Sequence, residues 1–146
     1  MAGSRKPKSR NIVTTKIPKN VQNPDTRRNL PIVWKFGLMV VHPDRKWNWC
    51  QLSDTSLLQD VIKKLASFET MTFHELNATS GNHSISIDKF ENKDVHNELE
   101  KLGLVHIPEL FSLRLQGVQR VYCSFSANEF SLIWLDLSHE VFPCQV

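Results

Sequence analysis

The chain has 146 residues, of which 40% are hydrophobic and 23% charged, and its formal net charge is +3 at pH 7. That length suits one domain, and these proportions are ordinary for a soluble globular protein. No apolar run approaches the ~20 residues of a membrane-spanning helix, and the opening residues MAGSRKPKSR lack the apolar segment of a signal peptide. We therefore expect a cytoplasmic protein with no membrane partner.

The first 30 residues hold most of the basic charge. They contain eight Lys or Arg and one acid, Asp25, for a net charge of +7, whereas the other 10 basic and 14 acidic residues give −4. Like charges and few bulky apolar residues predict a disordered basic tail over residues 1–30, followed by a folded domain over 31–146. The tail either stays solvated or lies along the phosphates of a nucleic acid, and the composition fits both interpretations.

The three cysteines, Cys50, Cys123 and Cys144, are odd in number and far apart in the sequence. This spacing argues against a disulfide framework and offers no CxxC pair for a metal. We predict reduced thiols, and we expect neither a metal nor another cofactor.

The segment PIVWKFGLMVVH, residues 31–42, has apolar residues on both alternating sides, which predicts a buried first strand. Trp47 and Trp49 follow in a predicted loop. An aromatic pair of this kind can stack on bases, but packing against a neighbouring strand is the commoner role.

Three helices are predicted next. Ser53 and Asp54 open a helix with one apolar stripe, and Thr72 with Glu75 three residues later forms a capping-box pattern for a short second helix. Asn92 or Asp94 caps the third helix, and Gly103 ends it.

The last third consists of three strand-like runs, ELFSLRL, VQRVYCSF and EFSLIWLDL, separated by the turn signals QG and SAN. The element order predicts an α+β fold. We expect an antiparallel sheet with an N-terminal strand, two to three helices packed on one face, and a C-terminal three-stranded meander.

The first turn of the meander fixes where its arginines lie. A three-residue loop at Gln116, Gly117 and Val118 keeps the apolar residues of both strands on one face, and it pairs Arg114 with Arg120. The opposite face is then polar and carries Ser112, Arg114, Arg120, Tyr122 and Ser124. Two arginines across a strand pair repel each other, so we expect either an internal partner, Asp136 or Glu140, or a bound phosphate.

His139 stands just past the last strand, at the edge of the same sheet. Arginine and histidine around a phosphate are suited to metal-independent RNA cleavage. In this reaction the ribose 2′-hydroxyl attacks phosphorus, arginine stabilises the added negative charge, and histidine protonates the leaving 5′-oxygen.

The segments LFSLRLQGVQRVY and IWLDLSHEVFP resemble the C-terminal half of the RelE/ParE superfamily of bacterial toxins, especially ParE-like and YoeB-like members. The resemblance is clearest over residues 109–143. It implies the toxin of a toxin–antitoxin pair, a ribosome-dependent mRNA endonuclease whose partners are an antitoxin protein and mRNA on the ribosome. It further implies that Arg120 faces the scissile phosphate, Arg114 positions the substrate, His139 is the general acid, and Tyr122 stacks or donates a hydrogen bond.

The sequence departs from this family at two points. The general base is unassigned among Glu75, Asp88 and Glu109, and Glu140 replaces an aromatic residue that follows the histidine in some relatives. Two alternatives therefore stay open: a non-enzymatic ParE-like toxin that binds DNA gyrase, and an inactive relative that only binds an antitoxin.

Overall fold

The computed structural model describes residues 24–143. The predicted disordered tail lies outside this range up to residue 23, whereas the residues from Pro24 onward form part of the described structure. In chain order the helices and strands are α1 (Pro24–Arg27), β1 (Val33–Lys35), α2 (Thr55–Glu69), α3 (Phe73–Ala78), β2 (His83–Ser86), α4 (Lys93–Lys101), β3 (Glu109–Arg114), β4 (Arg120–Ser126) and β5 (Glu129–Asp136). No helix within residues 24–143 has both the length and the apolar character needed to cross a lipid bilayer.

The strands form one five-stranded sheet in the order β1-β5-β4-β3-β2. The α+β class and the C-terminal meander are as predicted, but the sheet is mixed, because β1 runs parallel to β5 and only the other pairs are antiparallel. The edge strand β2 comes from a segment whose first residues have loop composition. It pairs with β3 through Ile85 and Leu110, among others.

The first strand is shorter and more exposed than predicted. A turn at Gly37 and Leu38 follows β1, and the backbone N–H of Met39 donates to the carbonyl of Phe36 at 3.2 Å. Because the turn interrupts the alternation, Val33, Phe36 and Val41 are exposed. The predicted buried strand over residues 31–42 is therefore wrong in length, because β1 ends at Lys35, and wrong in burial, because Val33 and Lys35 within β1 are exposed.

The helix ends follow the local sequence signals. Asp54 accepts from the backbone N–H of Ser56, Thr72 and Glu75 form the capping box, and Asn92 caps α4. Gly103 adopts the left-handed φ of +72° after α4, a conformation in which glycine avoids the penalty of a side chain. These predictions are confirmed.

Helices cover both faces of the sheet, which corrects the prediction that they pack on one. On the first face, α2 and α3 bury Val61, Phe68, Phe73 and Leu76 against strand residues that include Phe111, Leu113, Val121 and Cys123. On the second face, Val95 and Leu99 of α4 belong to a core with Leu110, Tyr122, Ile133 and Trp134. The strands carry bulky side chains at alternate positions on both sides, as strands of doubly covered sheets do.

The two early tryptophans belong to these cores. Trp49 is buried with the first face and Trp47 with the second. The indole N–H of Trp49 donates to the carbonyl of Ile133 at 3.1 Å. Packing, not base stacking, is therefore their role.

The second core also changes the predicted polar face. Ser112 is 1% exposed and Tyr122 is fully buried, with its ring 6.4 Å from that of Phe90. Tyr122, predicted to stack on a base or to donate a hydrogen bond, is closed off from solvent in this core, and this burial argues against such a contact. Arg114 is exposed and Arg120 is partly exposed, so the accessible part of this face lies where β3 ends and β4 begins.

Candidate functional site

The β3–β4 hairpin has the predicted register. Arg114 pairs with Arg120 and Leu113 with Val121. The N–H of Leu115 donates to the carbonyl of Gln119 at 3.0 Å, which leaves residues 116–118 as the loop. Gly117 has a φ of +59° there. The two arginines therefore start from opposite positions on the second face, at one end of the sheet.

Arg114 has an anchored stem and an exposed head. Its side chain lies over Gly81, where an added Cβ would come 2.5 Å from Cδ of the arginine. Its backbone N–H donates to Oδ1 of buried Asn82 at 2.8 Å, and Asn82 in turn donates to the carbonyl of Leu76. The guanidinium forms no hydrogen bond or ion pair with another residue in the range 24–143. This end of the sheet thus presents a fixed cation.

Arg120 is turned toward the hairpin loop. Its Nη1 donates to the carbonyls of Gly117 at 2.7 Å and Gln119 at 3.0 Å. Its partner across the strand pair with β5 is Asp136, which is fully buried. The two arginines thus share a face, but Arg114 leans over Gly81 toward β2 while Arg120 leans toward the loop.

Asp136 fixes the chain that follows β5. Its carboxylate accepts from the N–H of Val141 at 2.8 Å and from that of Ser138 at 3.3 Å. Val141 is buried, so residues 137–140 form a closed loop over the end of the second face. His139 lies in this loop with a φ of +60°, a conformation that is uncommon for residues other than glycine.

The surroundings of His139 keep its imidazole neutral. Partial burial, followed by the positive charge of Arg120, lowers the pKa of His139 below its ordinary value, while Asp136 and the backbone of Phe142 act in the opposite direction. At neutral pH this ring is therefore better suited to accept a proton than to donate one.

A second histidine, which the sequence reasoning missed, lies at the same end of the sheet. His83 on β2 is directly opposite Ser112 and so occupies the second face, diagonally next to Arg114, a separation of about 7 to 8 Å in a sheet. It is exposed, and its ring centroid is 6.4 Å from that of Phe142, three residues after His139. The available signal was the alternation in His83–Ser86, which the loop-like composition before it obscured.

The carboxylates predicted as candidate bases lie elsewhere. Glu75 accepts from the N–H of Thr72 in the α3 cap. Glu109 opens β3 and Arg114 closes it, which separates them by roughly 17 Å along the strand. Asp88 follows β2 near Ser86, whose partner is Glu109. Glu140 accepts from the indole N–H of Trp47 at 3.1 Å.

Tyr122 is buried with its polar group unsatisfied. The hydroxyl lies near Ser112 yet has no hydrogen-bond partner of adequate geometry, and burial raises the pKa of Tyr122. The Tyr122 hydroxyl is therefore part of the second core and is closed off from solvent.

The cysteines within the described residues are unpaired thiols. Cys50 is exposed and donates to the carbonyl of Val41, whereas Cys123 is buried and burial raises its pKa. Cys144 lies outside the described residues. In the range 24–143, no group of three or more His, Cys, Asp or Glu side chains is arranged to hold a metal ion.

Four side chains therefore gather where β3 ends, and we call them the arginine–histidine cluster: His83, Arg114, Arg120 and His139. A fixed guanidinium binds a phosphate in two-pronged fashion, and imidazoles transfer protons near neutral pH. No protein-family model, curated protein or solved structure matches this chain, so membership of the RelE/ParE superfamily stays a prediction.

Proposed function

We propose that this protein is the toxin of a toxin–antitoxin pair and cleaves mRNA on the ribosome, with the arginine–histidine cluster as its active site. The observation that supports this proposal best is the exposed, anchored guanidinium of Arg114. It has no partner among residues 24–143, and it shares one end of one sheet face with two histidines. A cation held in this way is ready to bind an anion, because little side-chain freedom remains to be lost on binding.

In the proposed reaction Arg114 binds the scissile phosphate. His139 takes the proton of the ribose 2′-hydroxyl, and the 2′-oxygen attacks phosphorus. The bond to the 5′-oxygen then breaks, leaving a 2′,3′-cyclic phosphate, and His83 is the residue that gives a proton to the departing oxygen. The lowered pKa of His139 favours this base role over the acid role predicted from sequence.

Arg120 and Asp136 are positioning residues in this proposal. After burial, the charge of Arg120 is the next cause of the lowered pKa of His139, and it adds positive potential where negative charge develops in the transition state. Asp136 holds the loop that carries His139 through its bonds to Ser138 and Val141. Neither residue needs to touch the substrate.

The test is induction of the protein in bacteria, followed by mapping of mRNA 5′ ends. We expect codon-phased cuts on translated messages only, and we expect Arg114→Ala to lower their rate about 10²- to 10³-fold. Lys35→Gln is the matched control, because it removes one cation at the β1 edge of the sheet, where Lys35 pairs with Glu129 at 3.5 Å. Intact messages in cells that express the unaltered protein would overturn the proposal.

An apolar groove favours a second candidate function, a binding toxin without nuclease activity. The groove, about 320 Å³ in volume, lies between β1 and α2. Among its lining residues, Phe36 is 63% exposed and Ile62 56% exposed. Exposed apolar surface of this kind marks protein–protein contact, as expected for an antitoxin or, in the ParE-like alternative, for DNA gyrase. Arrested replication with intact messages would support this candidate.

A further inference from the structure

We infer that the groove between α2 and the β3–β4 hairpin is a binding site for single-stranded RNA, and that it holds the chain next to the scissile phosphate. The claim that the groove holds RNA next to a scissile bond rests on the proposed function, whereas the claim that the groove binds RNA does not. The groove has a volume of about 390 Å³ and is lined by Asp60, Val61, Lys63, Lys64, Ser67, Leu115, Gln116 and Gln119.

One polar stripe of α2 supplies the charge. Asp60, Lys63, Lys64 and Ser67 follow the i, i+3, i+4, i+7 spacing, so they lie along one side of the helix. Lys63 is exposed, and the ammonium of Lys64 lies 5.5 Å from the centre of the Phe68 ring. Two lysines against one acid leave this wall positive.

The hairpin loop supplies the other wall and connects the groove to the cluster. Gln116 and Gln119 line the groove, while Nη1 of Arg120 donates to the carbonyls of Gly117 and Gln119 in the same loop. Leu115 belongs to the first-face core and Arg114 lies on the second face. A chain that crosses the loop would therefore contact lysines on one side and the arginine–histidine cluster on the other.

The lining favours RNA over an acidic peptide. Lysines bind phosphates without regard to sequence, and glutamine amides donate to and accept from the exposed edges of unpaired bases. An acidic peptide could pair with the same lysines and amides, but it carries its charge on flexible side chains, whereas the phosphates of RNA recur along the backbone that would cross the loop toward Arg114. Single-stranded RNA matches both parts of the lining.

The experiment measures binding of a 2′-O-methyl single-stranded RNA oligonucleotide, which cannot be cleaved by 2′-hydroxyl attack. Fluorescence anisotropy over a range of salt concentrations gives the slope of log K against log salt for the full chain. Each lysine that no longer neutralises a phosphate of a single strand reduces this slope by about 0.7, so Lys63→Gln/Lys64→Gln should reduce it by about 1.4 and weaken binding. Lys35→Gln, which removes a cation far from the groove, should leave the slope nearly unchanged.

Two further measurements keep the outcomes distinct. Lys63→Gln alone, which leaves the Lys64 and Phe68 contact in place, should reduce the slope by about 0.7. A slope that does not differ between the double variant and Lys35→Gln, absence of binding by the unaltered chain, or equally strong lysine-dependent binding of poly-glutamate would overturn the inference. Lysine-dependent RNA binding by a protein that leaves messages intact would uphold the groove and reject the nuclease.

Discussion

The two faces of the sheet are both covered, but they differ in what they bury. The core of the first face is built of apolar side chains, and the guanidinium of Arg28 lies over its Phe73 ring. The second face buries Ser112, Glu98 and Asp136, and the polar atoms Tyr122 Oη, Trp134 Nε1 and Glu98 Oε1 have no hydrogen-bond partner there among residues 24–143. An unsatisfied buried polar atom costs about 1 to 3 kcal/mol. On the first face, Nε of Arg28 is such an atom, so the second face, beside the arginine–histidine cluster, gives up more stability than the first.

The largest effect that would test this contrast is on the first face. Phe130 is fully buried in the first-face core near the start of β5, so Phe130→Ala should lower the free energy of unfolding by about 3 to 5 kcal/mol. The cleavage rate per folded molecule should stay within a factor of about three, because Phe130 pairs with Phe125 at the end of β4 that lies away from Arg120 and the cluster. Urea unfolding and cleavage assays on the same sample measure both. A large loss of rate in the folded fraction would contradict the division between the faces.

An intermediate effect is expected at His139. His139→Asn, which keeps a residue that tolerates positive φ, should lower the cleavage rate about 10²- to 10⁴-fold. The matched control is His106→Asn, because His106 is exposed and lines a groove bounded by the opposite ends of β3 and β4.

The same variant tests the electrostatics of the second face. Because the pKa of His139 is lowered in the folded state, the unfolded chain binds this proton more readily. The folded state is thus fully favoured above the unfolded pKa of about 6.5 and loses stability as the pH falls through it. His139→Asn should lose less stability than the unaltered protein between about pH 7.5 and pH 5.5 in urea unfolding. Equal losses would show that the pKa of His139 is not lowered in the folded state.

The smallest effect is expected at Tyr122, the chain's single tyrosine. Because its hydroxyl has no partner among the described residues, Tyr122→Phe should leave the free energy of unfolding unchanged or raise it by up to about 1 kcal/mol. The raised pKa of Tyr122 means that its contribution to stability is present below the unfolded pKa of about 10 and is lost as the pH rises above it. Absorbance should therefore show tyrosine ionisation only together with alkaline unfolding. Ionisation near pH 10 in a chain with native circular dichroism would place the hydroxyl in solvent.

Local features were predictable from the sequence, but the distribution of the helices over the two faces of the sheet was not. The caps at Asp54, Thr72 and Asn92 and the Arg114–Arg120 register depend on neighbouring residues or on one tight loop. The side of the sheet on which α4 packs depends on contacts distant in sequence, so one apolar stripe per helix did not reveal that Val95 and Leu99 pack on the second face. The same limit hid His83, because only its pairing with Ser112 brings it beside Arg114.

The contact between Gly81 and Arg114 separates the fold from the proposed chemistry. Gly81 has a φ of +91° and borders the Arg114 stem rather than the core, so a side chain at this position would strain one turn and push the guanidinium aside. In the proposed mechanism, one extra carbon atom at Gly81 would therefore displace the guanidinium that binds the phosphate. A single substitution could thus separate the proposed chemistry from the apolar groove between β1 and α2, whose lining does not include Gly81 or Arg114.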